Sequence, residues 1–160
     1  MDYRDIITDI RRIVRSINLD SKRIQKDYGV SIPQLLCLTH LASKEGYQAT
    51  HKQLTQHLNL NSSTVTGIIN RLEKRGLIAR LPKAGDRRTT YVALTSAGYK
   101  LLKQKPNLLH EKLASNLQKL TPDQIRQIQK SLALLIDVLE IKDLDASPLL
   151  IVEEPGQPPE

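Results

Sequence analysis

Ser63, Thr64, Thr66, Gly67, Asn70, Arg71 and Lys74 lie in one short stretch of this 160-residue chain. Their types suit one kind of chemistry. Short hydroxyl and amide groups reach base edges in a major groove, and Arg and Lys hold phosphates or read guanine. The spacing puts them on a common face. Val65, Ile68, Ile69 and Leu72 fall at i, i+3, i+4 and i+7, an apolar stripe of helical period. At about 100° per residue, Ser63, Gly67, Asn70 and Lys74 then point away from the stripe, flanked by Thr64, Thr66 and Arg71. A merely solvated face would be richer in Glu and Lys. Shortly downstream, Lys83, Arg87 and Arg88 crowd a polar segment from Pro82 to Thr89.

Other chemistries find no support in the residue pattern. His40, His51, His57 and His110 share no ligand spacing with carboxylates or with the single Cys37, so neither a metal site nor a cofactor is expected. There is no Gly-rich phosphate loop and no Gly-x-Ser-x-Gly, so no enzyme is expected. Cys37 stands inside an apolar run and reads as an inert core thiol. His40 reads as structural. His51 and His57 flank a short helix where phosphate contact is as plausible as any other role.

Local signals say how the polar face is held. Asn61 is an N-cap and Gly76 a C′ stop for the helix between them. Upstream, Thr50 and Gln53 form a capping box that opens a short helix through His57, with Leu58-Asn-Leu-Asn61 as the turn. Downstream, Leu77–Leu81 and Thr90–Leu94 read as two strands of a hairpin, with Leu77, Ala79 and Leu81 on one side. Helix, turn, helix and basic-tipped hairpin make a winged helix-turn-helix: helix in the major groove, wing tip over backbone and minor groove.

With these residues in view, the chain resembles the MarR (multiple antibiotic resistance regulator) family. The resemblance rests on Ser63-Thr-Val-Thr66, Arg71-Leu-Glu-Lys-Arg-Gly-Leu-Ile78, Asp86-Arg-Arg88 and Leu94-Thr-Ser-Ala-Gly98, in that order and spacing. It extends from about Asp5 to Asp143. It implies a dimeric, often ligand-responsive transcription factor. In its Asp-x-Arg pattern, Asp86 would orient the wing tip by pairing with a nearby arginine. Arg88 would enter the minor groove, with Arg87 and Lys83 on phosphates.

The remaining chain supplies helices. Ile6, Ile10, Ile13 and Ile17 form a stripe on a first helix from Asp5 to about Lys26, ended by Gly29. Arg11, Arg12 and Arg15 lie off it and read as a solvated face with partners such as Asp9, rather than as an anion site. Ser31 caps a second helix that buries Leu35, Leu36, Leu38, Leu41 and Ala42. Thr95 caps a helix that Pro106 must break. Thr121-Pro-Asp-Gln124 opens the last helix, expected to reach about Lys142. Ile125, Ile128, Leu132, Leu135, Ile136 and Leu139 form its stripe, and Leu134 and Val138 widen it to a face that suggests more than one partner helix. The expected fold class is mainly α with a small β-hairpin wing: a winged helix-turn-helix plus a helical dimerisation region.

The expected organisation is one domain over about residues 1–145. Its DNA-binding lobe spans about 31–95, with dimerisation helices at about 5–28 and 96–142. Residues 146–160 read as an apolar segment, either a strap on a partner subunit or a frayed tail, followed by a Pro-rich disordered end. Ile6, Ile10, Ile13, Ile125, Ile128, Leu132, Leu135 and Leu139 are the expected dimer interface.

Charge agrees with the polar face. The net charge is +7, and between Gln48 and Lys105 eleven Lys or Arg stand against two acidic residues, Glu73 and Asp86. A field localised on the candidate recognition segment points to a polyanion partner. No signal-peptide pattern and no apolar run of membrane-spanning length is visible, so a cytoplasmic, nucleoid-associated protein is expected. The function expected is a homodimeric, sequence-specific regulator, read as a repressor, on a palindromic double-stranded DNA operator, with a small-molecule effector of unknown identity as a further expected partner. The alternative is a winged helix used as a protein-interaction or assembly module, which would call for apolar or aromatic residues on the recognition face.

Overall fold

The structure is a computed structural model describing residues 3–81, 89, 91–104, 106–144 and 146. The chain divides into two units, one within Met1–Pro106 and one spanning Asn107–Ala146.

The first unit begins with α1, Tyr3–Tyr28. Gly29 ends it at φ +66, a left-handed conformation that costs glycine little. The Gly29 carbonyl accepts from the Arg75 guanidinium, which ties this corner to the far end of a later helix. Ile24 near the end of α1 is fully buried, whereas Ile6, Ile7, Ile13 and Val14 nearer its start are exposed. Arg12 pairs with Asp9 at 2.8 Å, as the solvated-face reading required.

Helix α2, Ile32–Ala42, starts at a reciprocal capping box between Ser31 and Gln34. Leu35, Cys37, Leu38 and Leu41 are buried, while Leu36 and Ala42 are only half-buried. A single 3-10 turn, Glu45–Tyr47, leads to β1, Gln48–Thr50. Thr50 closes that strand and at once caps α3, His51–Leu58, through the box with Gln53. Asn59 at φ 51 turns the chain toward α4, Ser62–Lys74, whose N-cap is Asn61. After α4 come β2, Ile78–Leu81, and β3, Tyr91–Leu94, and then α5, Ser96–Lys103, capped by Thr95.

The three strands form one antiparallel sheet in the order β1-β3-β2, with Ala49 and Arg80 both opposite Val92. The expected two-stranded hairpin was therefore incomplete. Gln48-Ala-Thr50 is too short to show a period of two, and its partner lies far along the sequence. The strand faces also differ from expectation. Ile78 is the buried residue of β2, and Ala79 and Leu81 are exposed. Leu77 is buried too, but it belongs to the helix end. Its N–H bonds Leu72 O at 3.0 Å and Gly76 N bonds Glu73 O at 2.8 Å, a Schellman closure. The strand therefore starts one residue later than expected, and the side of β2 that carries Ile78 and Arg80, opposite Val92, is the one turned to the core.

The core of this unit lies between α2, α3, α4 and the sheet. Leu38, Leu41, Leu54, Leu58, Val65, Ile69, Leu72, Ile78 and Val92 are almost wholly shielded from solvent. Fully burying one such aliphatic side chain contributes about 1.5–3 kcal/mol. Helix α4 and the sheet thus share one hydrophobic support.

The second unit holds α6, Leu109–Leu117, and α7, Pro122–Val138. Pro106 lies between α5 and α6, so the expected interruption is a full break. Helix α7 opens with the predicted capping box, Thr121 with Gln124. It stops four residues short of the expected Lys142. Glu140 takes φ 55, Ile141 N bonds Ile136 O at 3.2 Å, and Lys142 turns back to pair with Asp137 at 2.9 Å. This left-handed cap on a non-glycine residue has no composition signal. Ile128, Leu132, Leu134, Ile136 and Val138 on α7 and its C-cap Leu139 are exposed large apolar groups.

Candidate nucleic-acid interface

Helix α4 forms where the sequence placed it because both of its ends are satisfied. Asn61 Oδ1 accepts from Thr64 N at 2.8 Å, and the Schellman turn closes the other end. Val65, Ile68, Ile69 and Leu72 are buried, which fixes the rotation of the helix about its axis. The opposite face follows. Ser63, Thr66, Asn70, Arg71 and Lys74 are exposed, and Thr64 and Gly67 half-exposed. A Cβ placed on Gly67 would meet nothing within 4 Å, so no packing partner asks for glycine there.

The polar groups differ in how free they are. Ser63 Oγ donates to Asn61 Oδ1 at 2.7 Å, reinforcing the cap. Thr66 Oγ1 donates back to Ser62 O at 2.9 Å and lies 3.0 Å from His51 Nε2. Asn70 Oδ1 accepts from Arg80 on β2 at 2.5 Å. Arg71 and Lys74 are exposed and make no ion pair among the described residues. Their position in the last turn of α4 also complements the helix dipole.

Beside this face lies a cleft of about 600 Å³ lined by Thr50, His51, Lys52, Thr66, Ile69, Arg80 and Thr89. Ile69 is the one aliphatic residue among those lining it; the others carry a hydroxyl, a cationic group or an imidazole. Thr50, Lys52, Arg80 and Thr89 are not among the site residues expected from the sequence. Lys52 was visible only as one more cation in the basic segment, and Arg80 only as a strand residue. Lys83, Asp86, Arg87 and Arg88, the expected wing tip, lie outside the described residues, as do residues 147–160 with the expected strap.

The two remaining groups singled out from sequence have different settings. Cys37 is completely buried, and burial pushes its thiol up to about 12. His40 stacks on His57 with ring centroids 4.0 Å apart. Its pKa is lowered, first by burial and then by the neighbouring His57 and Lys44 charges. His40 Nε2 is buried and has no hydrogen-bond partner among the described residues. The expectation of a structural His40 fits this packing. Among the described residues no group of three or more His, Cys, Asp or Glu could hold a metal ion, and no helix is long and apolar enough to cross a membrane.

Comparison with known proteins gives a consistent set of likenesses. A family model described as the MarR family matches residues 30–90. The chain is 30% identical over 122 residues to the transcriptional repressor MprA of Escherichia coli K12, covering 74% of this chain and 69% of that protein. It is 28% identical over 128 residues to the HTH-type transcriptional regulator YsmB of Bacillus subtilis, covering 80% of this chain and 86% of the other. Among solved structures, a MarR family regulator from Streptomyces coelicolor in complex with DNA aligns with a TM-score of 0.61. That alignment has 20% identity and covers 92% of this chain and 94% of the other, a likeness of fold.

Proposed function

Because the chain belongs to the MarR family, we propose that it is a homodimeric, sequence-specific DNA-binding transcriptional regulator that acts as a repressor on a palindromic operator. The observation that carries this reading is the outer face of α4. It is exposed, short-chained and hydrogen-bonding at its start and cationic at its end, on a lobe whose excess charge is positive. An interaction module would present apolar groups there, and α4 buries all of its own.

In this proposal α4 enters the major groove. Asn70 and Arg71 read bases, and Ser63, Thr64 and Thr66 meet phosphates or base edges. Gly67 lets the helix lie deep, and Lys74 holds a phosphate. Arg88 enters the minor groove, Arg87 and Lys83 hold phosphates, and Asp86 orients the wing tip. The domain scheme belongs to the same proposal: a lobe of about residues 31–95 and dimerisation helices flanking it. The exposed apolar faces of α1 and α7 would be covered by a second copy, which holds two α4 helices about one DNA turn, roughly 34–36 Å, apart. A small molecule that changes that spacing would release DNA. The protein would act in the cytoplasm at the nucleoid and catalyse no reaction; its relative MprA is a transcriptional repressor.

Selection of bound sequences from random duplexes tests the reading. The expected product is a palindrome with half-sites one helical turn apart. Recovery of no preferred sequence at physiological salt would return the chain to the interaction-module reading.

A further inference from the structure

Glu73 is out of place on the face just described. It is one of two acidic residues among the eleven cations between Gln48 and Lys105, and it sits on α4 one turn after Asn70. An unpaired carboxylate there would repel phosphates. It is not unpaired, because Arg80 Nη1 donates to Glu73 Oε2. The other arm of the same guanidinium, Nη2, donates to Asn70 Oδ1 at 2.5 Å. Arg80 reaches both because it follows Ile78 by two residues on β2. It therefore projects from the face that Ile78 buries against the helix side of the lobe.

We propose that Arg80 is a specificity-determining positioning residue, clamped by Glu73 and fixing the Asn70 amide for base reading. The inference rests on the DNA-regulator reading and deepens it. An asparagine reads adenine with Oδ1 and Nδ2 together, accepting from N6 and donating to N7. A free Asn side chain rotates its amide and can present either edge, so its discrimination is diluted. A guanidinium only donates, so the Asn70 atom against Arg80 must be the oxygen. The amide plane is thereby set before DNA arrives. One lone pair of Oδ1 and both Nδ2 protons remain for a base. Glu73 supplies the second anchor and cancels the charge of Arg80, which keeps the guanidinium from moving to a phosphate. Arg80 itself touches no base in this scheme.

The test uses the full-length protein and the operator recovered by selection, with every base pair of one half-site substituted in turn. Arg80→Lys keeps the charge and can keep the Glu73 pair, but loses the fork that spans both partners. Its expected effect is loss of roughly tenfold in discrimination at the base pair that Asn70→Ala also relaxes, with affinity for random duplex and the salt slope unchanged. In an Asn70→Ala background, Arg80→Lys should add nothing at that base pair. Arg80→Gln, which also removes the charge, should relax the same position. Thermal melts accompany each variant, since a merely structural role would lower stability and weaken all sequences alike. Equal weakening on all duplexes, or an effect that survives intact in the Asn70→Ala background, would overturn the proposal. A parent protein that prefers no sequence would defeat the regulator reading itself. A parent that discriminates, with Arg80→Lys discriminating equally, would defeat the positioning role alone.

Discussion

At the scale of single residues, burial decides chemistry. Cys37 belongs to the same α2 run as Leu35 and Leu38, and the absence of water around its sulfur holds the proton on. The thiolate is the reactive form, so Cys37 should resist alkylation in the native protein at mildly alkaline pH and react as one thiol after denaturation, measured by mass spectrometry. Rapid native alkylation would contradict the core placement. His40 makes a second prediction, with a sign set by linkage. Unfolded, it titrates near 6.5, and folding lowers that value. Below about pH 6.5 the unfolded chain therefore binds the proton more readily. Stability is fully present above the unfolded pKa and is lost as pH falls toward the folded one. Thermal melts between about pH 7.5 and about pH 5 should show a decline in Tm that is shallower in His40→Gln. The groups facing His40 are His57 and Lys44, both of which oppose its charging.

Two glycines bring out the logic of the elements. Gly98 sits in the first turn of α5, where an added Cβ would lie 2.3 Å from the Leu77 carbonyl and 2.7 Å from Leu94 Cδ1. Helix and wing base touch there through backbone, so Gly98→Ala should cost about 1–3 kcal/mol of stability in denaturant unfolding. Gly67 is the opposite case. It stands inside α4 with open space around it, so Gly67→Ala should raise stability by about 0.5–1 kcal/mol. If α4 lies deep in a groove, the same methyl should weaken DNA binding. Higher stability together with lower affinity is the expected pair of results; unchanged operator affinity would remove Gly67 from the interface. At the wing, Arg87→Ala or Arg88→Ala should each lower the slope of log K against log salt by about 1. An unchanged slope in both would detach the wing from DNA.

At the scale of the whole molecule, apolar side chains are left exposed in both units. Within its own unit α1 exposes Ile6 at 53% and Ile13 at 58%, and within the other α7 exposes Leu132 at 50% and its C-cap Leu139 at 52%, apolar surface of the kind a second copy would cover. Ile10, Ile125 and Leu135 are half-buried, and Ile128 is 38% exposed. A second copy covering these faces should bury at least roughly 2,000 Å². Sedimentation equilibrium should therefore find a dimer down to nanomolar concentration, with folding tied to protomer concentration. Truncation after Thr121 removes α7 and should abolish operator affinity while leaving the α4 sequence intact. A folded nanomolar monomer, or a truncated chain with full affinity, would defeat this assembly.

What the sequence determined by itself was local. The caps at Thr50, Asn61, Thr95 and Thr121 and the burial stripe of α4 were legible because each is made by hydrogen bonds or packing periods spanning a few residues. The polar face of α4 followed as the complement of that stripe, and the fold class with it. What the tertiary structure decided was every contact between elements. The third strand exists only because β3 passes beside Gln48–Thr50. Arg75 reaches Gly29 across 46 residues, and Arg80 reaches Asn70 across ten, because β2 returns along α4 after the Schellman turn. A hydrogen bond of this kind depends on the path of the backbone in space, and residue types along the chain do not specify that path. For the same reason Asn70 was legible as a candidate reader of bases, while Arg80, which holds it, was not.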